Sequence, residues 1–565
     1  MMRFFNFFTI LLSVTAVACL GPVTPPYARA HISGASEQRE RAEESRVPLL
    51  KGLLSLNFPV TTGSREAQAY FNQGLVLPYG FDHADAERSF LEAAKQDPDC
   101  AMAYWGAAFV LGPNINAAME NSAVARAYEM VRKALSLAEK TSPRERALIE
   151  ALARRYGPNP VKDRSPLDKA FAEAMRGVYA RYPDDPDIAV LTAEALMDLH
   201  PWDYWTPQGL PRPWTPEIRI ILERVIAGAP NHPHGHHLYI HLMENSPTPE
   251  VTVRSADVIG RLAPASGHLV HMAAHAYYAA GLYHDCSLSN ERALAVDNTL
   301  TSSFGTGGLY RFAYVPHVLH FLLAGYMMEG RSVDAVRTAR ALAGGIDHKK
   351  MREPGFGALQ HYYVTPYYTL VRFGLWEEIL KESPPPEGLA YPLGMWHYAR
   401  GIAFTRTGKP GPAEEELRGL LSMSEDRSLE NLSIWDITKA KDLLAIASEV
   451  LAGELAAAAG KPDAAIDHLT QAVALEDRLP FDEPPPWYFP VRQSLGAVLL
   501  DLGRAQEAES VFREDLLRNA ENPWSLFGWA ESLKRQGKGD LLSDAEKRFR
   551  RAWSRSDIPL KRPVF

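Results

Sequence analysis

Small residues recur along this chain at the spacing of a helix pair. Gly74 is followed by Ala86, Phe90, Ala93 and Pro98, and Gly106 stands 32 residues after Gly74. The frame continues with Gly281 and Ala293, Gly330 and Ala335, Gly374, Gly408 and Ala413, Gly460 and Ala465, and Gly503 with Ala508 and Phe512. Glycine and alanine let two helices approach closely, phenylalanine fills the space between pairs, and proline breaks the chain before the next helix. No alternation of apolar and polar residues competes for a strand assignment. Such a chain buries its apolar faces by stacking helix pairs on one another, and about eight repeat-like units fit.

Histidines follow the same pitch. The chain has 18, and nine of them lie between His232 and His284. His237 and His271 are 34 residues apart, as are His241 and His275. Thirty-four residues is the period of the tetratricopeptide repeat, whose first helix lines a concave groove with its second, fifth, ninth and twelfth places. With Gly281 at the fifteenth place, His268, His271 and His275 take the second, fifth and ninth. One period earlier His234, His237, His241 and Glu244 take the second, fifth, ninth and twelfth. In the unit framed by Gly330, His317 and His320 take the second and fifth, and His361 takes the second place of the unit after it. The frame was set by small residues alone, yet it sends the local histidines to one wall. His236 points about 100° away from His237, toward the second helix of its own unit.

The expected fold is all-α: a tetratricopeptide-like α-solenoid, a right-handed superhelix of helix-turn-helix units. The sequence resembles a group of bacterial tetratricopeptide repeat proteins. The resemblance rests on Gln73–His83, Ala101–Gly106, Leu111–Asn116, His200–Trp205, the two histidine helices, Trp396–Gly401 and Asp482–Gln493. It covers roughly residues 64–540 and implies the fold; it brings no established reaction, so function has to come from the site.

The remaining organisation follows from composition. Arg3 precedes an apolar run from Phe4 to Leu20, ended by Gly21-Pro22, so residues 1–30 read as an export signal. Ala28-Arg29-Ala30 offers a cleavage site, and Ala16-Val17-Ala18-Cys19 offers a lipobox with a lipid anchor at Cys19. The expected location is periplasmic or exported, the alternative a membrane-anchored lipoprotein. Residues 31–63 are a linker, 64–130 the N-terminal units, 131–230 an irregular helical insertion with a Trp/Pro-rich loop, 231–345 the histidine-rich centre, 346–425 further units and 426–565 the C-terminal units. Cys100 and Cys286 read as small core residues on helices, and the cysteines form neither a disulfide framework nor a C-x-x-C metal knuckle. The formal charge of −8 carries no basic stripe, which argues against nucleic acid.

Imidazoles from neighbouring helices, 8–10 Å apart, suit a transition metal. The expected ligands are His234, His237, His241, His268, His271, His275, His317 and His320, with Glu244 and Tyr278 as catalytic candidates. Copper, zinc and iron all fit the donors; a carboxylate in the shell, from Glu244, Glu194 or Asp198, would favour iron, manganese or zinc, and the number of histidines allows two ions. There is no His-Glu-x-x-His motif, phosphate loop or nucleophile elbow. Two readings stand: a metal-dependent hydrolase or oxidase acting on a small molecule, and a non-catalytic scaffold holding a peptide or protein in the groove.

Overall fold

The computed structural model describes residues 47–53, 57–304 and 310–565. The expected export signal, Cys19 and much of the linker lie outside the described residues. Apart from one hairpin, Ser433–Ile434 paired antiparallel with Thr438–Lys439, the regular structure of the described residues is helical. Two compact units result: one takes in the described residues up to Ala276 and Ser289–Val318, the other Tyr277–Leu288 and Leu319–Phe565. Within each, helices pack as the tetratricopeptide-like pairs that the small-residue frame demands; Arg65–Tyr79 packs on His83–Gln96, and Ala390–Arg406 on Pro410–Ser424.

The turns explain the frame glycines. Gly281, Gly330, Gly374, Gly408, Gly460, Gly503 and Gly537 all sit at φ between +64° and +76°. The N–H after each reaches back five residues, as from Leu282 to the Tyr277 carbonyl at 2.7 Å and from Lys409 to Phe404 at 2.9 Å. This closes the helix with a left-handed residue, a conformation that glycine adopts without a Cβ penalty. The first pair makes the same bond, from Asp82 N–H to the Leu77 carbonyl at 3.0 Å, but Phe81 occupies the left-handed place at φ +59°.

Phenylalanines fill the gaps between pairs. A Cβ on Gly74 or on Gly106 would collide with the Phe90 ring, and a Cβ on Gly496 or Gly528 with Phe512. Each ring thus lies between a glycine of its own pair and one of the next. The helices at 143–152, 165–181 and 186–197 follow without that frame. The segment 198–214 then folds over the helix Pro233–Met243, with Trp205 Nε1 donating to the Leu242 carbonyl at 2.6 Å.

Candidate metal centre

The helix Pro233–Met243 starts with proline, whose missing N–H costs nothing there, and His232 caps it by accepting the Gly235 N–H at 3.2 Å. That start places His234, His237 and His241 along one face. The helix Gly267–Ala279 presents His268, His271 and His275 in the same way, and His317 comes from the helix Val315–Glu329. All seven rings belong to the first unit.

The six rings on the first two helices are at most 3% exposed. Open groove-facing positions were expected, and aromatic side chains close them off. Tyr79 stacks on His234 at 4.1 Å between centroids. Phe81 meets His237 at 5.0 Å and His268 at 4.9 Å. Trp202 meets His241 at 5.1 Å and Tyr314 meets His268 at 5.2 Å. Phe81 and Trp202 reach the histidines from left-handed backbone, at φ +59° and +61°. For a bulky residue that conformation costs about 1–2 kcal/mol.

The nitrogens converge. Those of His237, His241 and His268 lie within 4.8 Å of one another, as do those of His271, His275 and His317. His237 Nε2 is 3.3 Å from His268 Nε2, and His275 Nε2 is 3.4 Å from His317 Nε2. A tetrahedral ion with arms of 2.0–2.1 Å sets its ligand atoms about 3.4 Å apart, so both separations already match a shared ion.

Hydrogen bonds set the tautomers. Glu244 is buried and accepts from His241 Nδ1 at one oxygen and from His275 Nδ1 at the other, each at 2.8 Å. An ionised carboxylate only accepts, so both rings carry Nδ1–H and present Nε2 as a lone pair. His271 Nδ1 is bonded to Asn290 Oδ1 at 2.6 Å. Its Nε2 lone pair therefore faces that of His275, 2.8 Å away, an arrangement that repels unless a proton or a metal cation lies between them. His234 Nδ1 is 3.4 Å from His237 Nδ1, and His234 Nε2 is 3.2 Å from Glu194 Oε2. Among the described residues His268 Nδ1 has no hydrogen-bond partner.

Burial, and then the neighbouring imidazoles, hold His237, His268 and His271 well below the ordinary histidine pKa. These rings are neutral at pH 7, the form that binds metal.

Other candidates lie elsewhere or play supporting parts. His320 is in the second unit, facing His361 and Tyr362 at 5.3 Å each; Tyr278 is in that unit too, packed on Tyr283 and Phe321. Asp198 is tied to Arg155 at 2.8 Å, which leaves Glu194 as the carboxylate beside His234. His236 bonds Ser255 and the Pro230 carbonyl, away from the cluster. His83 bonds the Val110 carbonyl and Asn114, while Asn116 donates to the Tyr314 hydroxyl at 3.2 Å. Sequence reasoning missed Phe81, Tyr314 and Asn290. Phe81 had a signal: counted from Gly74, it holds the fifteenth place, where later units carry glycine.

No known family profile and no curated protein matches the sequence. Solved structures similar to the chain include the human IFIT1 dimer with m7Gppp-AAAA, at 13% identity over 92% of this chain and 94% of that one, TM-score 0.31. The APC/C hetero-tetramer Cut9-Hcn1 has 12% identity over 86% and 76%, TM-score 0.29. The TPR domain of P58(IPK) has 11% identity over 84% and 98%, TM-score 0.21.

Proposed function

We propose that this helical-repeat protein is a metalloprotein whose buried histidine cluster holds a transition metal acting on a small molecule. One observation carries the reading: Glu244 fixes His241 and His275 through Nδ1, so that their Nε2 lone pairs turn inward. Carboxylates commonly orient metal-binding imidazoles in this way. Bound there, copper, zinc or iron would supply Lewis-acid activation of water or redox chemistry with dioxygen.

The chain's own residues do the rest. Glu244 has both oxygens engaged by imidazoles, so it is a positioning residue. Tyr79, Phe81, Trp202 and Tyr314 exclude bulk water, and the six histidines of the first two helices, at most 3% exposed, offer no surface to an extended peptide. That burial favours a small-molecule centre over a peptide-binding groove at this place. The test is the metal content of tag-free protein beside that of a His237→Ala/His271→Ala double variant. The proposal predicts metal in the parent and its loss in the variant. Equal, metal-free preparations that also fail to take up added metal would end it.

A further inference from the structure

We propose that the centre is binuclear, with one ion on His237, His241 and His268 and a second on His271, His275 and His317. This rests on the metal-centre reading above and goes beyond it in number, ligand assignment and metal class.

The two triads stand in the same register on successive repeats. The first triad takes the fifth and ninth places of one repeat, His237 and His241, and the second place of the next, His268. The second triad takes the fifth and ninth places of that next repeat, His271 and His275, and the second place of the one after, His317. The same three-point construction is thus made twice, one repeat apart. Its elements are an i, i+4 pair on one helix, whose side chains share a face, and a single histidine from the neighbouring helix. Each triad contains one separation near the tetrahedral ligand edge, 3.3 Å in the first and 3.4 Å in the second.

Six imidazoles exceed the four positions of one tetrahedral ion, and three protein ligands with an open fourth position is the usual form of a reactive site. Glu244 divides its oxygens between the triads, one on His241 and one on His275. One buried carboxylate therefore orients a ligand of each ion and places negative charge beside both. With Glu244 so engaged, each triad offers imidazole alone. That donor set takes copper or zinc, whereas iron and manganese favour carboxylates in the shell.

The construction stops on both sides. His320 and His361 again hold a fifth place and the next second place, but the ninth place is Ala324. On the other side His234 lies beside both Glu194 and His237 but joins neither triad, and Asp198 is held by Arg155.

The test is a titration of tag-free, metal-stripped protein with Cu(I) and, separately, with Zn(II), each against a chelator of known affinity. The proposal predicts two ions per chain for at least one of the metals, and the metal held more tightly identifies the class. His268→Ala and His317→Ala should each retain one ion, with helical content unchanged by circular dichroism. Should either variant misfold, His268→Gln and His317→Gln replace them, and the parent's stoichiometry still decides. An end point at one ion in the parent, or loss of all metal from both single variants, overturns the binuclear assignment and leaves the metal reading standing. A parent that binds neither metal overturns both.

Discussion

Replacing Glu244 by glutamine removes one charge and leaves the shape almost unchanged. The carboxylate accepts two Nδ1–H groups at 2.8 Å, one on each oxygen. Glutamine offers one oxygen and one NH2 group, so it serves one imidazole and confronts the other with a donor. The second ring must accept at Nδ1, which moves its proton to Nε2, the atom that faces the metal. A charge-assisted hydrogen bond is worth about 1.5–3 kcal/mol, and loss of an outer partner of a metal-binding histidine costs about 10–100-fold in affinity. The two figures agree, since tenfold is about 1.4 kcal/mol. Glu244→Gln should therefore weaken at least one ion by 10–100-fold, read by competition with a chromophoric chelator. A folded variant whose affinities stay within about twofold of the parent's would refute the claim that this carboxylate sets the tautomers.

Acid should destabilise the metal-free protein. Burial and neighbouring imidazoles keep His237, His268 and His271 neutral in the folded state, so below about 6.5 the unfolded chain binds protons that the folded chain refuses. The unfolded state then holds more protons, and stability falls as pH falls, by up to about 1.4 kcal/mol per pH unit for each ring; a flat urea midpoint between pH 7 and 5 would contradict this. Phe81→Gly should relieve about 1–2 kcal/mol of backbone strain but forfeit a buried ring worth about 3–5 kcal/mol. The net result is a less stable protein whose metal exchanges faster with chelator, and slower exchange would count against Phe81 as a cover. Ala324 lines a small cleft of about 60 Å³ together with His320 and His361. Ala324→His should therefore add one bound ion in the titration, and unchanged stoichiometry in a folded variant would show that register alone does not make a site.

Much of the fold was legible because its signals are local. A left-handed turn needs glycine, and a ring wedged between helices needs glycine on both sides, so Gly281 and the Gly74–Phe90–Gly106 set announce the pairs directly. The histidine register was legible for the same reason: a period of 34 carries a face from one helix to the next. Enclosure was legible only in the loop 200–216. Whether a wall is open or covered depends on which distant side chains reach it, and Tyr79, Trp202 and Tyr314 reach the cluster from three separate stretches of chain. Trp202 and Trp205 were visible as part of a loop able to cover the groove, but the histidine that Trp202 meets, His241, was not. The role of Asn290 was hidden because a helical asparagine looks the same in sequence whether it faces solvent or an imidazole.

The most direct measurement is anomalous X-ray scattering from crystals of tag-free protein, recorded on both sides of the copper, zinc and iron absorption edges. The account predicts anomalous density among the inward Nε2 atoms of His237, His268, His271 and His275, at about 2.0–2.1 Å from the coordinating nitrogens. Crystals grown with added metal that show no such density there, or show it only on surface histidines such as His468, would contradict it.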